Sequence, residues 1–361
     1  MSYFDNFPSN KKTEPPFPAN TPVSRNESPP SGDVGIELEI EGVGFPENVV
    51  VHGAVTCPTT GSRWLTHHDG SLRGGIEYVL SVPCKIDTVP EMVTELYSTL
   101  RNSGAVIRNT NRCSTHVHVN VSDWKANLLT SFIVVWAAIE PALVAWCGIE
   151  RKSNHFCLGI KDTPANIYNW GKFLETGRFD MPNGLKYTAL NLLHIRDFGS
   201  LESRIGMSPD NPGDVIDWTR LMWGIREYVR EYFNNPESVP QAVSEMRPSG
   251  LLRAICDLSG TTRIYDEILT VLPEEEIDKS GYESFRDAQV LCYNYPWSDW
   301  LPYINKPYIP RPFKSKKDDR AIEEARIRLR NTAPRAMANW GIDDPARPRD
   351  VQVAPEPIWG N

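Results

Sequence analysis

Apolar and acidic residues alternate along Gly35–Gly42. Successive side chains of a β-strand point to opposite faces, so a strand here would carry aliphatic residues on one face and three carboxylates on the other. The carboxylates belong to Glu37, Glu39 and Glu41. Such alternation is typical of any antiparallel strand with one solvated face, so the segment taken alone predicts a strand and no more.

The same period of two predicts strands at Gly75–Ser81, Cys113–Val121 and Ser200–Ile205. Arg63–Leu72 is predicted to be a strand closed by an Asp-Gly turn, which would join it to Gly75–Ser81 in a hairpin. Lys186–Leu193 leads towards the last of these strands. Each strand has one apolar face, as expected for a sheet that packs on one side.

Apolar residues recur at helical spacing in four longer segments. These predicted helices are Pro90–Ser103, Asp123–Cys147, Pro164–Leu174 and Val215–Phe233. Residues 236–295 are also predicted to be mostly helical. Strands that alternate with long helices predict the α+β class.

The stretch from Leu128 to Ile149 is apolar enough to suggest a membrane span, but Glu140 and Pro141 lie at its centre. A carboxylate at mid-bilayer is costly, and proline removes a helix hydrogen bond. The segment therefore predicts a buried core helix that is kinked or broken at Pro141, and no membrane association.

Proline marks the two ends of the predicted fold. Seven of the thirty prolines precede residue 31 and ten follow residue 295. Residues 1–31 are therefore predicted to be a disordered or extended arm, and residues 296–361 a proline-rich tail with one short charged helix near Asp318–Arg330. Between them we expect a main domain at 32–235 and a mostly helical extension at 236–295.

The net charge, the cysteines and the absence of two nucleotide-binding motifs each argue against particular classes of protein. A net charge of −8 and a pI near 5.5 argue against nucleic-acid binding, which needs basic patches. The seven cysteines form no CxxC pair, and no apolar signal-peptide core begins the chain, so we expect reduced thiols and a cytoplasmic protein. Neither GxxxxGK[ST] nor GxGxxG occurs, which argues against P-loop and Rossmann nucleotide sites.

Metal-binding residue types collect on the polar face of the predicted sheet. Glu, Asp, His and Arg occupy it, where an ordinary solvated face would carry mixed Lys, Thr, Ser and Gln. Carboxylates this close repel one another, so the arrangement is costly unless cations neutralise it. Carboxylate oxygens in this number suit hard divalent ions such as Mg²⁺ or Mn²⁺, and a neutral imidazole adds a nitrogen ligand.

Five motifs follow one another along the chain. They are Gly35-Ile36-Glu37-Leu38-Glu39, Asp69-Gly70-Ser71-Leu72 with Glu77, His116-Val117-His118, Tyr187-Thr188-Ala189-Leu190-Asn191 and Leu201-Glu202-Ser203-Arg204. In this order residues 33–206 resemble the amidoligase family of glutamine synthetase-like carboxylate–amine ligases, often encoded by bacteria and their phages. The resemblance implies a curved antiparallel sheet with helices on one face. No match is found for the substrate-glutamate and ammonia motifs of true glutamine synthetases, which leaves the substrates open.

The resemblance also implies a role for each matching position. One divalent ion would be held by Glu39, Asp69 and Glu77. A second would be held by Glu37, Glu202 and His116, with His118 as the alternative histidine. Arg204 would face the transferred phosphoryl group and Asn191 would orient nucleotide or substrate, and His118 is the third residue expected at the nucleotide.

The implied function is ATP- and Mg²⁺-dependent (or Mn²⁺-dependent) joining of a carboxylate to an amine through an acyl phosphate. The substrates would be small molecules or peptides, and the terminal arms would permit homo-oligomers. Two alternatives remain open. One is a metal hydrolase or oxygenase that uses His116, His118 and one glutamate. The other is a phage structural protein built on an inactive ligase core, located in the host cytoplasm.

Several neighbouring residues have a simpler interpretation than a role in the site. Glu41 is either an acid behind the ligands or a surface group. Trp170 can stack on adenine, but aromatic residues at this spacing more often pack in a core. Three cations that can bind phosphates are interpreted as surface residues: Arg112, Lys186 and Arg196.

Overall fold

The structure of the chain is a computed structural model. It describes residues 32–45, 53–108, 110–152, 154–176, 181–207 and 210–295, together with 179 and 297. For residues 149, 183, 196 and 197 it describes the backbone alone. The arm predicted at 1–31 and the tail helix predicted near Asp318–Arg330 lie outside these residues.

Within the described residues, eight antiparallel strands form one open sheet. The strands are β1 (Val34–Val43), β2 (Ala54–Thr56), β3 (Arg63–His67), β4 (Gly75–Leu80), β5 (Val106–Arg108), β6 (Ser114–Asn120), β7 (Leu190–Asn191) and β8 (Ser200–Gly206). Their order across the sheet is β2-β3-β4-β1-β6-β8-β7, and β5 pairs with the end of β1. The five predicted strands are confirmed. β2, β5 and β7 were not predicted, because two or three residues are too few to show a period of two.

The acidic strand β1 lies at the centre of the sheet, between β4 and β6. Its apolar face is buried, since Ile36, Leu38 and Ile40 are at most 2% exposed. On the other face, the register sets Glu37 opposite His116 on β6 and Glu39 opposite Glu77 on β4. The central position of β1 thus places its carboxylates between polar residues of both neighbours.

The predicted hairpin of β3 and β4 is present. The turn before β4 is fixed by Asp69, whose Oδ1 accepts a hydrogen bond from the Ser71 amide at 2.5 Å. The Asp69 carbonyl also accepts one from the Leu72 amide at 3.2 Å. An aspartate that bonds the backbone two residues ahead is a common turn-forming device. The turn thereby holds Asp69 at a defined place next to the sheet.

Nine α-helices lie in the described part of the chain. They are α1 (Val89–Asn102), α2 (Ala126–Cys147), α3 (Pro164–Thr176), α4 (His194–Phe198), α5 (Pro212–Tyr232), α6 (Val239–Ser259), α7 (Thr262–Val271), α8 (Glu274–Ala288) and α9 (Val290–Tyr293). Helix α5 packs against β1, β6 and β8, and shares one hydrophobic core with their apolar side chains. The predicted α+β class is confirmed.

Helix α2 is the core helix, surrounded by α5, α6, α7 and α8. By length and composition it is the one described helix that qualifies as a membrane span, yet 78% of its most apolar window is buried inside the protein. We predicted a kink or a break at Pro141; the helix continues through Pro141 to Cys147, so the break is not found. The buried Glu140 carboxylate is satisfied by the Trp136 indole N–H at 2.6 Å and the Ile160 amide at 2.7 Å.

Candidate active site

The first acidic cluster joins the centre of the sheet to the β3–β4 turn. Carboxylate oxygens of Glu39, Asp69 and Glu77 lie within 4.8 Å of one another. Glu39 is buried, and it also accepts a hydrogen bond from the Ser114 hydroxyl. Three carboxylates at this spacing are the donor set that a hard divalent ion takes.

The electrostatics of Glu77 reflect its neighbours. Burial, followed by the charges of Glu37 and Glu39, raises the pKa of Glu77 to about 7. Crowded carboxylates hold protons more tightly because ionisation brings like charges together. A divalent cation in the cluster would remove this repulsion.

The second cluster consists of Glu37, His118 and Glu202, whose ligand atoms also lie within 4.8 Å of one another. His118 Nε2 is 3.2 Å from Glu37 Oε1 and 4.0 Å from Glu202 Oε1. Its other ring nitrogen is 3.1 Å from the Ser200 hydroxyl, which orients the ring so that Nε2 faces the carboxylates. Burial alone would lower the pKa of His118, but Glu37 and Glu202 raise it.

His116 lies between the two clusters. Its Nδ1 is 3.1 Å from Glu37 Oε2, and its Nε2 is 2.8 Å from the Ser114 hydroxyl and 3.9 Å from a Glu39 oxygen. The residue proposed as ligand from the motif is therefore in contact with acids of both clusters. The three-residue group itself contains the alternative histidine, His118.

Glu202 is the most enclosed acid of the face, with 1% of its surface exposed. Its oxygens accept hydrogen bonds from Asn191 Nδ2 and Arg204 Nη1, each at 2.5 Å, and His194 Nε2 lies at 3.2 Å. Burial would raise the pKa of Glu202, but Arg204, His194 and His118 lower it well below its usual range. The carboxylate therefore stays ionised although it is buried.

A cavity of about 490 Å³ opens beside the first cluster. Its lining combines the three carboxylates of that cluster with four cations and two aromatic rings. The cations are Arg112, Arg151, Lys186 and Arg204, and the aromatic residues are Phe156 and Tyr187. A lining that contains both acids and cations suits a ligand that is itself anionic and binds with a metal ion.

Residues 66–173 match the family model described as “Putative amidoligase enzyme”. This confirms the resemblance to the amidoligase family and supports a ligase-type function at a coarse level. A search of the curated proteins found no match.

The amidoligase match contains part of the site only. Asp69, Glu77, His116 and His118 lie inside it, and the remaining predicted residues lie outside. Those remaining residues are Glu37, Glu39, Asn191, Glu202 and Arg204. The structure brings both groups together on one face of the sheet, although Glu37 and Glu202 lie 165 positions apart in the sequence.

Two of the three cations interpreted as surface residues, Arg112 and Lys186, line this cavity. Arg112 is half-buried and Lys186 is exposed at the rim. For the third cation, Arg196, the structure describes the backbone alone. Trp170 is fully buried and donates to the Thr130 hydroxyl at 2.8 Å, so its interpretation as a core residue is confirmed.

Glu41 links the site to two neighbouring loops. It is 6% exposed, and it accepts hydrogen bonds from the Arg73 amide and, at 2.8 Å, from the Thr110 hydroxyl. Arg73 follows the turn that carries Asp69, and Thr110 precedes Arg112 in the other loop. Of the two interpretations of Glu41, the structure supports the acid behind the ligands.

Sequence reasoning missed Arg151 and His194. Arg151 follows α2 and donates to the carbonyl of Cys113, just before β6, and to that of Gly206, the last residue of β8. His194 begins the short helix α4 beside Glu202. Neither residue lies on a strand with a readable period. The only available signal for His194 was its position three residues after Asn191, at the end of a family motif.

Proposed function

We propose that the protein is an ATP- and Mg²⁺-dependent carboxylate–amine ligase that forms an amide or isopeptide bond through an acyl phosphate. The observation that carries the proposal is the convergence of two three-ligand clusters and Arg204 beside one cation-lined cavity. The amidoligase match of residues 66–173 supports the same reaction class. The proposal includes a glutamine synthetase-like arrangement of the sheet.

The donor sets fit two divalent ions. Glu39, Asp69 and Glu77 supply oxygen ligands alone, and Glu37, Glu202 and His118 supply oxygens with one imidazole nitrogen. Mg²⁺ and Mn²⁺ favour such carboxylate-rich sites. Bound there, the ions would neutralise phosphate charge and polarise phosphoryl oxygens.

The remaining residues act on the substrates. Arg204 lines the cavity and is fixed by Glu202, so its planar guanidinium can offer paired N–H donors to the phosphoryl group as charge develops. Its Nε has no hydrogen-bond partner among the described residues. The carboxylate substrate would take the γ-phosphoryl group and release ADP. Attack by the amine on the acyl carbon would then release phosphate and a proton.

The hydrolase or oxygenase alternative would use His116 and His118, which contact the two oxygens of Glu37. It predicts Zn²⁺ or Fe²⁺ and no nucleotide. The ligase proposal explains more of the site, because it gives a role to Arg204, Asn191 and the acidic cluster around Glu39. A structural protein on an inactive core would give no role to any of them.

The decisive experiment measures thermal unfolding with and without MgATP, and ADP release against pools of acids and amines. A ligand that binds only the folded state raises the melting temperature, so we expect MgATP to stabilise the protein. Glu39→Gln should abolish both stabilisation by MgATP and ADP release. Glu91→Gln, a change at an exposed acid of α1, is the matched control and should leave both unchanged. Stabilisation by Zn²⁺ alone, or no response to nucleotide, would reject the ligase.

A further inference from the structure

Among the residues that the structure describes, three of the four cavity cations form no ion pair with a carboxylate. Arg204 pairs with Glu202 at 2.5 Å. Among the described residues, no carboxylate forms an ion pair with Arg112, Arg151 or Lys186. Cations that share a cavity repel one another, and the three carboxylates that line the same cavity form no ion pair with these three cations, so part of this repulsion remains in the free protein. The grouping therefore points to an anion supplied by a ligand.

Arg151 is the most buried of these three cations, with 4% of its surface exposed. Its Nη2 donates to the carbonyl oxygens of Cys113 and, at 3.3 Å, Gly206. These bonds anchor the guanidinium between the start of β6 and the end of β8. Neutral carbonyl groups do not cancel its charge, and a buried charge that forms no ion pair within the described part of the chain is expensive. A guanidinium has five N–H donors, so further donors remain for a ligand in the cavity.

The side chains of Arg112 and Lys186 are held in place by uncharged groups. Arg112 Nη1 donates to the Ser71 carbonyl at 2.6 Å, which ties it to the turn that carries Asp69. Lys186 Nζ lies 4.7 Å from the centre of the Tyr187 ring, a distance typical of a cation–π contact. Both side chains are thereby kept at the cavity wall.

We propose that Arg112, Arg151 and Lys186 form an oxyanion subsite that binds a phosphate or carboxylate group directly, without a divalent cation. The inference deepens the proposed ligase function and uses the same cavity. The oxyanion has two chemical sources in such an enzyme. One is a nucleotide phosphate, and the other is a second, non-reacting carboxylate on the acid substrate.

The test uses the full chain in EDTA, so that neither metal binding nor turnover contributes. Isothermal titration calorimetry measures the affinity for two probes, pyrophosphate and glutarate. We expect at least one of them to bind, and Arg151→Gln and Lys186→Met to weaken it by about tenfold or more, as for loss of a charged hydrogen bond. Arg63→Gln, a change at an exposed arginine of β3 outside the cavity, is the matched control and should bind as the natural chain does.

A further variant separates the subsite from the acidic cluster. Without metal, Glu39 repels an anion in the cavity, so Glu39→Gln should leave probe binding unchanged or strengthen it. Preference for pyrophosphate would identify a nucleotide subsite, and preference for glutarate a subsite for the acid substrate. If neither probe binds, or if Lys186→Met and Arg112→Gln both bind as the natural chain does, the subsite is rejected. Lys186 is exposed, so its substitution tests the idea even if Arg151→Gln does not fold.

These outcomes are independent of the ligase test. Failure of ADP release with intact probe binding would reject the reaction and keep the subsite. If the protein releases ADP and is stabilised by MgATP but binds neither probe in EDTA, the subsite is rejected and the ligase reaction is kept.

Discussion

Glu39 and Glu77 stand directly opposite each other on the neighbouring strands β1 and β4. Like charges in opposed positions destabilise an antiparallel pair, and a third acid, Asp69, adds to the repulsion. The pKa of Glu77 is raised to about 7 by burial and by these neighbours. The metal-free fold therefore carries a local electrostatic cost that cation binding would remove.

Glu77→Gln should stabilise the metal-free protein. At pH 8 the substitution removes one of two opposed charges, so the free energy of unfolding in EDTA should rise by about 0.5–1 kcal/mol. With excess Mn²⁺ the order should reverse, because the variant lacks a metal ligand. Urea unfolding in both buffers measures the two differences. A lower stability of Glu77→Gln in EDTA would contradict the prediction.

The polar face was predictable because it repeats every second residue. Glu37, Glu39 and the two histidines each lie on a long strand whose apolar face is equally regular. Alternation along one strand does not predict which residues from distant parts of the sequence will contact it. Arg151 approaches Gly206 across 55 positions of sequence, and no local pattern indicates such a contact.

The orientation of the two imidazole rings is a second property that alternation along the strand does not predict. His116 and His118 share a face, so alternation treats them alike. Ser200 turns the His118 ring towards Glu37 and Glu202, whereas Ser114 bonds the His116 nitrogen on the side of Glu39. The hydroxyl groups on neighbouring strand positions make this distinction.

The two histidines should therefore differ in their effect on metal binding. His118→Ala removes a donor atom of the second cluster, whereas His116→Ala removes a group that positions Glu37. Loss of a positioning partner typically costs about 10–100-fold in metal affinity, so His116→Ala should fall in this range and His118→Ala should exceed it. Calorimetric titration with Mn²⁺ gives both affinities. Equal losses would contradict this difference, and a reversed order would assign the ligand to His116.

Glu41 should act as a positioning residue for both site loops. Glu41→Gln keeps one carbonyl acceptor and replaces the other by an N–H donor that cannot bond to both Arg73 and Thr110. The turn that carries Asp69 would lose its anchor, so Mn²⁺ affinity should fall by about tenfold.

Substitutions at Thr110 provide the control for this prediction. Thr110→Val removes the hydroxyl donor to Glu41 and should lower Mn²⁺ affinity in the same direction. Thr110→Ser keeps the donor and should restore the affinity of the natural chain. Equal affinities for the valine and serine variants would show that the bond to Glu41 does not position the site.

Glu140 should make stability depend on pH independently of the metal clusters. It is 3% exposed in the middle of α2, and burial, only partly offset by bonds from Trp136 and Ile160, raises its pKa from 4.5 to about 7. The folded state thus holds this proton more tightly than the unfolded chain. Its contribution to the free energy of unfolding is greatest below about pH 4.5, falls as the pH rises to about 7, and is constant above that.

Glu140→Gln should remove this contribution. Its amide N–H₂ group would face either the Trp136 or the Ile160 donor, which should lower stability by about 1–3 kcal/mol. The natural chain should additionally lose roughly 2.5 kcal/mol relative to the variant between pH 5 and pH 8, because most of the shifted proton is released over this interval. Urea unfolding of both proteins across the interval measures the difference, with Glu91→Gln at an exposed acid of α1 as the control. Parallel pH profiles for the natural chain and Glu140→Gln would mean that Glu140 is ionised throughout and that its two N–H donors outweigh burial.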